Sequence, residues 1–209
     1  MHLFPEPEFT MTTMPAAQII QLITHADSAT TQRLNSLATT TPGLAQHLRL
    51  AHDTSAGSIF LWSDETALNA FEQAAGLAQL IESGSAQSRV FNILQPTTSI
   101  TFDTTGKALT EATSVQLVNM HLRLPTEAFL AHVTGPEAEA TGQLFGAIPG
   151  LIGKVFLHSR QADDIIGGCY LFRDDQTRSD YLSSELFTAV RSDDNWENLT
   201  TEDFSITDN

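Results

Sequence analysis

The feature that most restricts this chain is an internal similarity. Gly57-Ser58-Ile59-Phe60-Leu61-Trp62-Ser63-Asp64-Glu65 lies over Gly167-Gly168-Cys169-Tyr170-Leu171-Phe172-Arg173-Asp174-Asp175, apolar position on apolar position. Pro42-Gly43-Leu44 recurs as Pro149-Gly150-Leu151, and Phe91-Asn92-Ile93 as Phe204-Ser205-Ile206. Pro15 and Pro125 stand before matching stretches upstream. Four landmarks in one order predict two copies of one unit, residues 1–95 and 112–209, joined by a Thr/Gly-rich linker over 96–111.

Each copy reads as strand, helix, strand, strand, helix, strand. In the second copy, Val115 to Leu124 alternates and is rich in aliphatic and β-branched residues, which predicts a strand. Pro125 opens a helix running to Ala147 with a break at Gly135-Pro136. Leu151 to His158 and Cys169 to Phe172 follow as strands, a helix starts near Asp174-Asp175, and Phe204 to Thr207 ends the unit. The first copy is read as strands over Phe9 to Met14, Leu44 to Ala51, Ile59 to Trp62 and Val90 to Leu94, with helices from Pro15 to Leu37 and Asp64 to Ile81. This β-α-β-β-α-β order is ferredoxin-like and leaves one face of an antiparallel sheet uncovered by helices. A bare, half-apolar sheet face attracts a partner. Two copies in one chain meet that need by packing face to face, which predicts an α+β pseudo-dimeric barrel with four helices outside.

Composition removes several classes of function. Hydrophobic residues at 41% are too many for a disordered chain. A net charge of −15 repels phosphate backbones and anionic lipid surfaces, so neither nucleic acid nor membrane is an expected partner. No run approaches a membrane span, and the first residues MHLFPEPEF have no basic or apolar signal region, which predicts a cytoplasmic protein. The single cysteine, Cys169, can form neither an intrachain disulfide nor a thiolate metal site and reads as a small buried hydrophobe. No His-x-x-x-His helix motif, phosphate loop or nucleophile elbow occurs, so no metal and no nucleotide cofactor is expected.

The strings Pro149-Gly150-Leu151-Ile152-Gly153-Lys154-Val155-Phe156, Gly167-Gly168-Cys169-Tyr170-Leu171-Phe172-Arg173-Asp174 and Val90-Phe91-Asn92-Ile93-Leu94-Gln95-Pro96 resemble the YdhR-type monooxygenases of the dimeric α+β barrel superfamily. The resemblance covers both copies and rests on fold-specifying apolar and glycine positions. It implies cofactor-independent oxygenation of small electron-rich aromatics, such as quinols, anthrones or polyketide-like compounds, with O2 as co-substrate. It also implies that single-unit members pair as homodimers, so that this chain is a fused pseudo-dimer, with a further homodimer open. Haem-binding members of the superfamily use a helical histidine, and His25 and His132 both fall in predicted first helices.

Candidate site residues follow from the pattern and the resemblance together. Asn119, His121 and Arg123 share one face of a strand whose other face is Val118, Met120, Leu122 and Leu124. A histidine in this strand is similar to the family pattern. Oxygenation without a cofactor requires the substrate as an anion, and histidine suits the base. Asn119 and Arg123 would hold the developing charge. Lys154, Phe156 and His158 share a face of the next strand, and Tyr170, Phe172 and Trp62 could wall an aromatic ligand; these six are assigned to substrate binding, with core packing the competing reading for the aromatics. By offset, the first copy has Phe9, Met11 and Thr13 opposite Asn119, His121 and Arg123, and His47, Arg49 and Ala51 opposite Lys154, Phe156 and His158. The second copy is therefore expected to hold the pocket. The alternatives are a non-catalytic small-molecule-binding or interaction module, an isomerase of the same superfamily, or a haem binder.

Overall fold

The computed structural model describes residues 19–25, 28–52, 55–94, 111–135 and 138–207. The first half runs β1 (Ile19–His25), α1 (Ser28–Thr40), β2 (Leu44–His52), β3 (Ser55–Trp62), α2 (Glu65–Glu72), α3 (Ala75–Glu82) and β4 (Ala86–Leu94). The second runs β5 (Ser114–Leu122), α4 (Thr126–Thr134), α5 (Ala138–Gly146), β6 (Leu151–Ser159), β7 (Ile165–Phe172), α6 (Asp175–Leu182), α7 (Glu185–Ser192) and β8 (Trp196–Thr207). Strand order is β1-β3-β2-β8-β5-β7-β6-β4, closed on itself, with every pair antiparallel. The ferredoxin-like α+β barrel is thus formed within one chain. Its seams are β2 with β8, where Leu50 faces Ile206, and β4 with β6, where Ile93 faces Leu157.

Alternation along the strands builds three apolar layers. Leu22, Leu50, Leu61, Val115, Leu117, Leu157 and Leu171 fill the barrel interior, and Cys169 sits among them with its thiol pushed up to about 12 by burial. The opposite face of each sheet carries its own helices, over Phe60, Trp62 and Phe71 in the first half and over Tyr170, Phe172 and Phe187 in the second.

Local chemistry explains the recurring motifs. Asp64 and Asp174 cap α2 and α6, each carboxylate accepting from a backbone N–H three residues on, Ala67 at 2.9 Å and Thr177 at 2.8 Å. Gly43 (φ 84°) and Gly150 (φ 74°) take left-handed turns against those same helix starts. Their carbonyls accept from Ser63 N and Arg173 N at 3.0 and 2.9 Å. The Pro-Gly-Leu and Asp landmarks are one turn-and-cap unit used twice.

Two readings of the sequence need correction. The helix expected from Pro15 begins only at Ser28, and Ile19–His25 is a strand buried on both faces. The β-branched run Ile19, Ile20, Ile23, Thr24 outweighs the proline landmark there; the strand expected over Phe9 to Met14 lies outside the described residues. Consequently the register that pairs Gln116 with Tyr170 pairs Gln21 with Phe60, and Thr24, not Phe9, occupies the place of Asn119. The break expected at Gly135-Pro136 separates α4 from α5, but the helix expected from Asp64 to Ile81 and the one starting near Asp174-Asp175 are each split in two as well. The stretch from Gln116 to Pro149 exceeds that from Gln21 to Pro42 by a short helix, α5, which the first half lacks.

Candidate functional site

A cavity of about 470 Å³ lies between the second half's sheet and helices α4, α5 and α7. Its floor is Met120 of β5, Phe156 of β6, and Ile166 and Tyr170 of β7; Phe129 and Val133 of α4, Leu144 and Phe145 of α5 and Val190 of α7 form the walls. Polar groups are few: Thr141, His132 at the exposed edge of α4, and Asp193, Asn195 and the Trp196 ring beyond α7. Gly168 shapes the floor, since a Cβ there would stand 2.8 Å from the Tyr170 ring, which leans along the strand into the space a side chain would take. Apolar walls with a few convergent polar groups and room for a small organic molecule are the features of a candidate small-molecule site.

Behind the cavity lies a buried lysine. Lys154 is 3% exposed, and its Nζ makes no hydrogen bond. The nitrogen sits 3.2 Å from the ring centroids of both Phe145 and Phe156, which meet edge to face, and 5.1 Å from that of Tyr170. Burial pushes its pKa well below the ordinary lysine value. In the first half the same register puts His47 on Phe60, the rings stacked at 4.6 Å, with burial and then Arg49 holding its pKa down to about 4. There the layer beneath the helices is packed solid by Leu34, Trp62, Leu68 and Phe71, all under 2% exposed.

The residues expected to form one site are dispersed. Phe156 and Tyr170 line the cavity, and Lys154 lies against them. Phe172 stacks on Tyr170 at 6.3 Å on the side away from the opening, packed against Tyr181. Trp62 belongs to the first half's core, its Nε1 donating to Gln21 Oε1 at 3.2 Å. Asn119 and His121 lie on the other sheet face, in a separate cleft of about 290 Å³ at the barrel mouth with Arg89, Ser159, Gln161 and Asn198. His121 Nδ1 is 2.8 Å from Asp164 Oδ2, and this hydrogen bond lowers the Asp164 pKa. Arg123 pairs with Glu197 through Nε and Nη2 at 3.1 and 3.0 Å. His158 turns to the Asp163 carbonyl at 2.9 Å. His25 ends β1 and is not helical, which removes the premise for it as a helical haem ligand; His132 is helical and edges the cavity.

Reading the sequence missed Phe145, Asp193, Asn195 and Trp196. Phe145 shares no strand period with the other aromatics; it comes from α5, and its ring meets Lys154 Nζ from the helix side of the sheet. Among the described residues no cluster of His, Cys, Asp or Glu is arranged to hold a metal ion, and no helix is long and apolar enough to cross a membrane.

No family model matches the chain, and no curated protein matches its sequence. Solved structures do match. A monooxygenase-like protein of Listeria innocua is similar over 91% of this chain and 94% of its own, with TM-score 0.58 and 8% identity. An anthrone oxidase-like protein is similar over 92% of each chain, with TM-score 0.57 and 6% identity. A heme-degrading enzyme of Listeria monocytogenes is similar over 91% of this chain and all of its own, with TM-score 0.55 and 12% identity. These likenesses establish the fold.

Proposed function

We propose that the chain is an oxidative enzyme, a cofactor-independent monooxygenase that binds a small electron-rich aromatic, of the quinol, anthrone or polyketide-like class, in the cavity of the second half. The observation that carries this reading is the cavity itself, largely apolar with Phe156 and Tyr170 in its floor and a few polar groups at its edge, on a fold that monooxygenase-like and anthrone oxidase-like proteins share. For an anthrone the balance is simple: the ring CH₂ becomes a carbonyl carrying one oxygen atom of O2, and the other leaves as water. The substrate must first lose a proton, because its anion gives electrons to O2 far more readily than the neutral compound. Apolar walls then keep water from the reactive intermediate.

On this reading the two halves are copies of one unit, of which the first keeps the barrel closed and the second keeps the cavity. Haem fits these residues poorly. His132 could offer a nitrogen, but among the described residues the lining has no arginine or lysine to pair with propionates, and Asp193 has the wrong sign.

A second reading places the reaction at the barrel mouth, with His121 as base, oriented by Asp164, and Asn119 and Arg123 stabilising the anion; the 2.8 Å His121–Asp164 pair favours it. Oxygen uptake by metal-stripped protein with hydroquinones and anthrones separates the two. Ala189→Trp plugs the cavity from the exposed face of α7, and His121→Ala removes the mouth base. Uptake lost in Ala189→Trp and kept in His121→Ala is the expected result. The converse moves the reaction to the mouth, and no uptake by the wild type leaves a binding module or an isomerase.

A further inference from the structure

Lys154 is conspicuous because nothing in the barrel needs it. A buried amine without a hydrogen-bond partner costs stability that methionine or leucine would not. Of the three rings around it, Phe145 belongs to the cavity wall and Phe156 and Tyr170 to its floor. The amine therefore lies one ring's thickness behind the ligand space, and Phe145, on the helix the first half lacks, must turn aside for a bound ligand to reach it.

We infer that Lys154 is the proton acceptor of the cavity, taking the proton of an acidic ring hydroxyl, phenol or enol, and thereby selecting substrates that ionise near neutral pH. The substrate O–H bond breaks as an N–H bond forms on Nζ, leaving a phenolate beside an ammonium. Among the described residues the amine has no counter-charge, and its burial disfavours the protonated form. The bound phenolate supplies that counter-charge, and the faces of Phe145 and Phe156 stabilise the ammonium further. The other titratable groups that face this space are Tyr170 from β7 with Tyr181 of α6 behind it, His132 from α4 and Asp193 beyond α7. None pairs with Nζ among the described residues. The inference rests on the cavity being the ligand site.

The test uses 4-nitrophenol, whose anion is yellow, buffered about one unit below its pKa in water, with Lys154→Met as the variant. Trp196 edges the cavity, and quenching of its fluorescence reports binding independently of ionisation. With wild type the bound probe should turn yellow, its ionisation equilibrium shifted at least tenfold. With Lys154→Met it should quench the fluorescence and show no more yellow anion than the same probe free in buffer. A probe that binds wild type but stays neutral, or that ionises equally in Lys154→Met, overturns the role of Lys154 and leaves the cavity reading standing. A probe that quenches neither protein overturns the cavity as ligand site and this inference with it. Should Lys154→Met not fold, Lys154→Gln keeps a polar side chain of similar length without basicity, and the same outcomes decide.

Discussion

Two bases at one register position, the buried Lys154 in the second half and the half-buried His47 in the first, set how this protein responds to pH. Lys154→Met should raise stability by about 1–3 kcal/mol at neutral pH, seen as a higher urea midpoint, because it removes an unpartnered polar group without leaving a cavity. The pH dependence has a definite sign. Between the depressed native value and the ordinary 10.5, only the unfolded chain binds the lysine proton, so wild-type stability rises with pH through that window and the gap to Lys154→Met narrows. His47 acts in an acidic window: its native value of about 4 lies below 6.5, so stability is lost as pH falls between them. The loss should be on the order of 1–3 kcal/mol after allowance for the ring's partial exposure. Urea midpoints at pH 7.5 and 5 should move apart for wild type and stay together for His47→Phe; equal movement in both would assign the acid sensitivity to other groups. Lys154 is visible in the sequence as a lysine in a strand, but its lack of a partner is a property of what α5 lays over it.

Among the elements, the turns and caps were legible because each is local chemistry. Pro42-Gly43 and Pro149-Gly150 specify a left-handed residue, and Asp64 and Asp174 specify helix starts. Gly43 tests this quantitatively. A Cβ there would lie 2.4 Å from the Ala67 Cβ, which has no rotamer to escape into, on a backbone that L residues already disfavour. Gly84 has the same sign of φ (72°) but open space around it. Gly84→Ala should therefore cost about 1 kcal/mol of backbone strain alone, and Gly43→Ala about 2–4 kcal/mol as overpacking is added. Thermal unfolding of the two variants measures the difference, and equal costs would mean that the Gly43 turn moves freely away from α2. The first strand was not legible, because a proline landmark shared by both halves suggested the wrong offset for the first strand and helix. The actual register follows the Ile19–Thr24 run, and the difference in length is spent on α5. The cavity wall depends on that helix, which explains why half of the site was hidden from the sequence.

At the scale of the whole molecule, closure followed from the argument that a half-apolar sheet face needs cover, and it fixes how the chain must unfold. The two seams are short: β2 and β8 pair from Arg49 with Thr207 to Ala51 with Ser205, and β4 and β6 from Phe91 with Ser159 to Leu94 with Phe156. Arg89 of β4 and Glu202 of β8 add a two-pronged ion pair across the barrel mouth. Since both partners are about one-third exposed, that pair contributes little against the core. The interior decides the matter. If the first half unfolded alone, Val115, Leu117, Val155, Leu157, Cys169, Leu171 and Phe204 would lose their facing partners. At about 1.5–3 kcal/mol for each large apolar side chain, their exposure costs roughly 10–20 kcal/mol. A domain of this kind has only about 5–15 kcal/mol in total. A half-folded state is therefore too costly to populate, whatever the strength of the seams. Calorimetry should give one transition whose calorimetric and van't Hoff enthalpies agree. Two resolved transitions would show that each half holds its own core, and the barrel interior would then be an interface between domains rather than the shared centre of one.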